Sequence, residues 1–134
     1  MEILLSNQYL RIYLHRTTHQ TLELQWLDFV PSADFRAALE EAMRLARLHN
    51  IRALIADNRL LRALRQADLE FGGELVFKGL SAMGGQRFAA VESLDAMNRM
   101  GVSALVATVI PNTRLTSQFF TTIEQARVWS TAPF

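Results

Sequence analysis

The chain has 134 residues, of which half are hydrophobic and a fifth are charged, and its formal net charge is +1. This size and balance predict one globular domain over residues 1–134, and the near-neutral charge argues against nucleic acid as the partner. The absence of cysteine excludes disulfides, thiolate metal sites and a cysteine nucleophile, and we expect a cytoplasmic location. No apolar run approaches the roughly 20 residues of a membrane-spanning helix, so no integral membrane association is expected.

The first predicted element is a β-hairpin. Apolar and polar residues alternate from Tyr9 to His15 and again from Thr21 to Trp26, and an alternation of period two is typical of half-buried strands. The short polar segment Arg16–His19 lies between the two runs, so we expect the strands to pair in antiparallel orientation.

A helix followed by a buried strand is predicted next. Apolar residues recur at helical spacing over about residues 33–48, with Ser32 expected as the N-cap and Asn50 as the left-handed residue that ends the helix. Ile51–Ala56 is a continuous apolar run that ends at Asp57, and such a run is typical of a strand buried on both faces.

The centre of the chain is predicted to contain a loop, Asn58–Arg65, and a second helix, Gln66–Met83, which ends at Gly84-Gly85. Gly72 and Gly73 lie inside this helix, where each costs roughly 1 kcal/mol relative to alanine. The two glycines therefore indicate either close packing or a break in the helix.

The last third of the chain repeats the strand–helix pattern twice. The predicted elements are the strand Arg87–Glu92, the helix Leu94–Val109, the strand Leu115–Phe120 and a C-terminal helix. Ser93 is the expected N-cap of the first of these helices, although the β-branched residues in Val102–Ile110 also fit a strand. A capping box at Thr121–Glu124 is expected to begin the last helix.

The order of predicted elements is ββαβαβαβα. Strands that alternate with helices indicate an α/β fold in which a single mixed β-sheet is backed by helices. We expect the sheet to be mostly parallel after the hairpin.

Several landmarks along residues 8–130 resemble the SpoIIAA-like branch of the STAS superfamily, the fold of anti-anti-sigma factors. Their order and spacing carry the resemblance more than any one of them. In chain order they are Trp26, Phe35, the strand Ala53–Asp57, the strand Arg87–Val91 and the C-terminal segment Phe120–Trp129.

The resemblance implies a mixed sheet backed by helices and a non-enzymatic role. Related folds bind protein partners or, in the lipid-transfer relatives, hold an apolar ligand. Anti-anti-sigma factors of this fold are switched by phosphorylation of a serine just after the strand that ends here at Asp57. The corresponding segment, Asn58–Ala63, contains no serine or threonine, so the phosphoswitch is not carried over to this chain.

Four charged residues follow the buried strand. Asp57 stands at its carboxyl end, where open α/β sheets bind ligands, and it could bind a ligand, exchange protons, cap the next turn or pair with Arg59 or Arg62. On a helical turn Arg59, Arg62 and Arg65 would share one basic edge. Such an edge could hold a phosphate, a lipid head group or an acidic protein surface, or it could be a solvated charged face.

The second helix supplies the other candidate residues. Glycine permits close approach of a backbone or a ligand, so Gly72 and Gly73 with Phe71, Val76 and Phe77 could form a mobile lid over an apolar groove. The alternative is tight packing of this helix onto the sheet or onto a second subunit.

Three functional hypotheses follow from the sequence. The first is a regulatory module that binds a protein partner or a copy of itself as a homo-oligomer. The second is a carrier of a small apolar or lipid-like ligand, and the third is an enzyme that uses Asp57 with an arginine. No cofactor or metal is expected, because His15, His19 and His49 lack metal-ligand spacing. Nothing places a histidine and a carboxylate beside the three expected caps to make them nucleophiles.

Overall fold

The computed structural model describes residues 1–134 and contains one six-stranded sheet. The strands are adjacent in the order in which they occur in the chain. The first three are antiparallel to their neighbours, and the third to the sixth run parallel. The predicted mixed α/β sheet is therefore confirmed. Its strands are β1 (Glu2–Ser6), β2 (Leu10–Arg16), β3 (Gln20–Trp26), β4 (Ala53–Asp57), β5 (Arg87–Val91) and β6 (Thr116–Phe120).

Strand β1 was absent from the sequence prediction, so the observed order begins with three strands. The register between β1 and β2 shifts between Ile3 and Leu5. Such a bulge adds one unpaired residue and breaks the alternation by which a strand is recognised.

The helices lie where the sequence predicted them. Gln66–Gly72, Gly73–Lys78 and Gly79–Ala82 follow one another without a break, because Gly73 and Gly79 both have right-handed helical dihedral angles. We call this continuous element the middle helix; its central segment, Gly73–Lys78, is π-helical. The helices are α1 (Ser32–Leu48), α2 (Gln66–Gly72), α3 (Gly79–Ala82), α4 (Ala96–Val109) and α5 (Ile123–Thr131). No helix is both long and apolar enough to span a bilayer.

The two faces of the sheet are covered unequally. The side chains of Leu22, Leu24 and Trp26 point to one face and belong to the main core under α1, the middle helix and α4. The opposite face carries a small cluster around Ile55 that packs against α5 alone. This arrangement follows from the alternation in β3, since successive residues of a strand point to opposite faces.

Two helices end as the sequence predicted. Asn50 has φ 53° and Gly84 has φ 88°. At each end the amide of the left-handed residue and the amide of the residue after it donate to carbonyls of the last turn, as in the Schellman motif. Left-handed residues therefore terminate α1 and the middle helix.

The N-caps predicted for three helices were wrong, and so was the strand alternative for Val102–Ile110. Ser32 is the first residue of α1, and its hydroxyl donates to a carboxylate instead of accepting from the helix. Helix α4 is capped by Asp95, two residues after Ser93, and α5 is capped by Thr122, one residue after Thr121. Several residues able to cap a helix lie close together in these segments, so the sequence alone does not show which of them is the N-cap. Val102–Val109 is helical, which removes the strand alternative.

Candidate functional site

Asp57 and Arg59 form an ion pair at the carboxyl end of β4. The Arg59 Nε and Nη2 atoms donate to the two carboxylate oxygens of Asp57 at 2.9 and 2.8 Å. Asp57 is only 2% exposed. The hydrogen bonds that Arg59 donates to Asp57 raise the pKa of Arg59. The Asp57 carboxylate, on which the enzyme hypothesis depends, is therefore enclosed, with both oxygens engaged by Arg59.

The segment after β4 is fixed by the segment that leads into α4. The Ser93 hydroxyl donates to the Leu61 carbonyl at 2.7 Å, and the Asn98 amide donates to the Arg62 carbonyl at 3.0 Å. The Ala63 amide donates to Asp95, which is also the N-cap of α4. Backbone groups that are paired with a neighbouring segment in this way hold a loop in one conformation. Asn58–Ala63 is therefore irregular but rigid.

The predicted basic edge does not form, because this segment contains no helical turn. Arg59 is occupied by Asp57. The Arg62 Nε atom lies 3.7 Å from an oxygen of Asp95, and Arg65 is exposed just before the middle helix. The structure joins Asp57 to Arg59 but does not bring the three arginines onto one helical face.

Two leucines project from these rigid segments into solvent. Leu60 is 50% exposed and Leu94 is 78% exposed. They border two shallow clefts of about 540 and 280 Å³ that also share Arg59. We call this region the carboxyl-edge surface; it consists of Arg59, Leu60, Arg62, Leu94 and Asp95.

The middle helix covers a small apolar cavity. Gly72, Val76 and Phe77 line this space of about 70 Å³ together with residues of α1, α4 and the sheet, and most of its walls are hydrophobic. Phe71 and Gly73 do not line it. Phe71 lies under the guanidinium of Arg36 at 4.7 Å.

The two glycines sit at helix–helix contacts. A Cβ atom on Gly73 would lie 2.7 Å from a methyl carbon of Leu105 in α4, and one on Gly72 would lie 3.3 Å from a methyl carbon of Leu39 in α1. The first distance is too short for any side chain without movement. The glycines thus permit α1, the middle helix and α4 to pack closely.

Asp68 is a buried anchor that the sequence analysis did not single out. It accepts hydrogen bonds from the Ser32 hydroxyl at 2.6 Å and from Arg36 Nε at 2.9 Å. The bond from Ser32, aided by Arg36, outweighs burial and lowers the pKa of Asp68. No local signal reveals it, because its partners come from a helix more than 30 residues earlier.

Glu23 is the centre of a second buried polar group, on the face covered by α5. Arg127 donates to both of its oxygens at 2.8 and 2.9 Å, and His15 Nε2 lies 2.8 Å from one of them. Burial alone would raise the pKa of Glu23, but these hydrogen bonds outweigh burial and lower it. No group of three or more His, Asp or Glu side chains is arranged to hold a metal ion.

Comparison with known proteins places the fold. A crystal structure of an uncharacterised DUF3478-family protein with a SpoIIAA-like fold from Shewanella loihica superposes with a TM-score of 0.62, at 14% identity, over 95% of this chain and 98% of that one. An anti-sigma factor antagonist from Mycobacterium paratuberculosis superposes with a TM-score of 0.57, at 14% identity, over 96% of this chain and 100% of that one. No family model and no curated protein matches the chain. The fold is therefore SpoIIAA-like, as the sequence resemblance predicted.

Proposed function

We propose that this protein is a non-enzymatic regulatory module that binds a protein partner through its carboxyl-edge surface. The exposure of Leu60 and Leu94 on rigid segments carries this proposal. Apolar side chains at the centre of a patch with polar groups around them are the usual anatomy of a protein interface. Here Arg59, Arg62 and Asp95 supply the polar rim.

Rigidity of the surface supports the proposal energetically. A partner that binds a preformed surface does not have to offset the entropy of ordering a loop. The hydrogen bonds from Ser93, Asp95 and Asn98 already hold the Leu60 segment. One protein of the same fold is an anti-sigma factor antagonist, which agrees with a regulatory role.

Control by phosphorylation of the segment after β4 is not part of this proposal. Asn58–Ala63 has no hydroxyl side chain. The nearby Ser93 hydroxyl is buried and donates to a carbonyl, so a kinase would have no access to it.

Affinity purification with matched variants tests the proposal. We expect wild-type protein and Leu48→Asp, which changes a leucine that is 67% exposed on α1, to recover the same partner from an extract of the source organism. The double variant Leu60→Asp/Leu94→Asp should lose that partner while its circular dichroism is unchanged. Equal recovery by all three proteins, or no partner for the wild type, would refute the proposal.

A second candidate function is the carriage of a small apolar ligand, favoured by the cavity under the middle helix. Its volume of about 70 Å³ is roughly half that of an engineered cavity that binds benzene. A larger ligand would require the middle helix to move, and π-helical segments such as Gly73–Lys78 often occur at functional sites. Native mass spectrometry of freshly purified protein tests this candidate: a bound apolar mass that Val76→Phe removes would support it, and bare protein would argue against it.

A further inference from the structure

Helix α4 has an apolar face that nothing in this chain covers. Only Asn98 and Val106 of its residues are buried, whereas Met97 and Met100 are each 67% exposed. Arg99 is its single charged residue. Arg99, Ser103 and Thr108 are also exposed on this helix, but two large, mostly exposed methionines on one helix face are typical of an interaction surface.

An open cleft separates α4 from the last strand of the sheet. Phe119 of β6 pairs in register with Ala90 of β5, whose side chain lies in the main core, so Phe119 points to the same face. It is nevertheless 36% exposed, because α4 stands away from β6 and leaves a cleft of about 550 Å³. The apolar walls of the cleft are Ala90, Met100, Val102, Ala104, Ala107 and Phe119.

The two edges of the sheet differ in their protection against pairing. Strand β1 carries a bulge and an ion pair between Glu2 and Arg16, both of which discourage addition of another strand. Strand β6, Thr116–Phe120, has no charge, no proline and no register shift. Unprotected edges of this kind are templates for strand pairing.

The hydrogen-bond pattern identifies which backbone groups of β6 are free. The Thr116 amide donates to Gln86, and the Phe120 carbonyl accepts from Glu92. Both contacts are on the β5 side of the strand. Since successive residues of a strand direct their backbone groups to alternate sides, the N–H and C=O groups of Ser117 and Phe119 point outward.

We propose that a second copy of this chain pairs with β6 in antiparallel orientation and covers the apolar face of α4. A two-fold axis at Gln118 places Ser117 of each copy opposite Phe119 of the other. That register pairs all five residues and forms four backbone hydrogen bonds from the outward groups. The two sheets become one, with both α4 helices on the same face.

The apolar surfaces and the charges of the cleft agree with a second copy of this chain as the partner. The axis brings the two clefts together, so Met100 and Phe119 of both copies face one shared cleft, whose lining is half apolar and half polar. Glu92 and Arg99 both line the cleft and form no ion pair within the chain. A patch with one charge of each sign is complementary to its own copy across a two-fold axis. A lone peptide strand would satisfy the edge but leave α4 uncovered.

Sedimentation velocity on the full chain and three variants tests this proposal. We expect wild-type protein at about 100 µM, well above the dissociation constants usual for stable interfaces, to sediment as a dimer. Ser117→Pro removes an outward N–H, which an edge strand tolerates, and should give a folded monomer. Phe119→Asp should also give a monomer, whereas Ile3→Asp at the opposite edge should remain dimeric.

The controls keep the outcome interpretable even if one variant is unstable. Circular dichroism verifies that each variant is folded, and Ser117→Pro tests the edge without removing an apolar side chain. A monomeric wild type would overturn the proposal. A dimer that survives Ser117→Pro but is lost in Ile3→Asp would do so as well. Loss of partner binding by the Leu60→Asp/Leu94→Asp variant is measured separately, so the two proposals can fail independently.

Discussion

Helices α1 and α4 lie on the same face of the sheet but differ in how much of their apolar surface this chain buries. Helix α1 buries one stripe, formed by Phe35, Leu39, Ala42, Met43, Leu45 and Ala46, and turns charged residues to solvent. Helix α4 has apolar and small residues around most of its circumference, yet buries only two of the residues within its bounds. Under the proposed dimer, α1 serves the fold of a single chain, whereas α4 also serves association.

The largest effect is expected from Met43→Ala in α1. Met43 is fully buried in the main core, and truncation of a buried methionine to alanine costs about 2–5 kcal/mol in unfolding free energy because it leaves a cavity. Urea denaturation at low protein concentration measures this loss. A change below 0.5 kcal/mol would mean that α1 is not packed as described.

The next effect concerns the polar link between α1 and the middle helix. Asp68→Ala removes the acceptor of Ser32 and Arg36, and we expect a loss of about 2 kcal/mol because a buried charged hydrogen-bond group is deleted. Glu74→Ala on the same helix is the control, since Glu74 forms only a surface pair with Lys78. Similar losses for both variants in urea denaturation would contradict the assignment.

The Asp68 carboxylate also makes the unfolding free energy depend on pH, and the direction of this dependence is known. Its folded pKa is lowered from the unfolded value near 3.9, so its ionised form stabilises the fold above that pH. This contribution disappears as pH falls through the lower folded pKa.

The difference in unfolding free energy between wild type and Asp68→Asn should therefore shrink as pH falls below about 4. The pKa of Glu23 is also lowered, but Glu23 is present in both proteins, so its own pH-dependent contribution cancels in this difference. Denaturant titrations between pH 2 and 6 measure it, and a pH-independent difference would argue against an ionised, hydrogen-bonded Asp68.

A smaller effect is expected at the start of α4. Asp95→Ala removes the acceptor of the N-cap bonds from the Met97 and Asn98 amides and of the bond from the Ala63 amide, and loss of an N-cap costs about 1 kcal/mol. Asp34→Ala in the first turn of α1 is the matched control. Asp34 is exposed and acts only through the helix dipole, so its loss should be a few tenths of a kcal/mol in the same denaturation experiment. Equal losses would refute the capping role.

The smallest effect on the stability of the single chain is expected from Met100→Ala. Met100 matches Met43 in type but is exposed, so the unfolding free energy of the monomer should change by less than about 0.5 kcal/mol. At high protein concentration the same substitution should weaken the dimer, and sedimentation velocity detects this. A loss as large as that of Met43→Ala would erase the difference between the two helices.

The hydrophobic pattern of each region explains how well the sequence predicted it. Helix α1 was predicted well because its single apolar stripe has helical period and Asn50 marks its end. In α4 the apolar residues lie on nearly all sides, so periodicity is weak and part of the helix also resembled a strand. Strand β1 was missed because its bulge breaks the alternation.

The candidate site was predicted only where partners are close in sequence. Asp57 and Arg59 are two residues apart, and their pairing was among the alternatives considered. Glu23 lies 104 residues from its partner Arg127, and Asp68 lies more than 30 residues from Ser32 and Arg36; such pairs depend on the tertiary fold. The exposure of Leu60, Leu94 and Phe119 likewise depends on where α4 and the neighbouring loops are placed, which composition does not encode.

Amide hydrogen exchange in β6, measured by NMR as a function of protein concentration, tests most directly whether α4 and β6 face a second copy. The outward amides of Ser117 and Phe119 should exchange slowly at high concentration and become fast on dilution. The amide of Gln118, which points to β5, should remain protected throughout. Fast exchange at Ser117 and Phe119 at every concentration would show that this edge is open, and the account of α4 would be wrong.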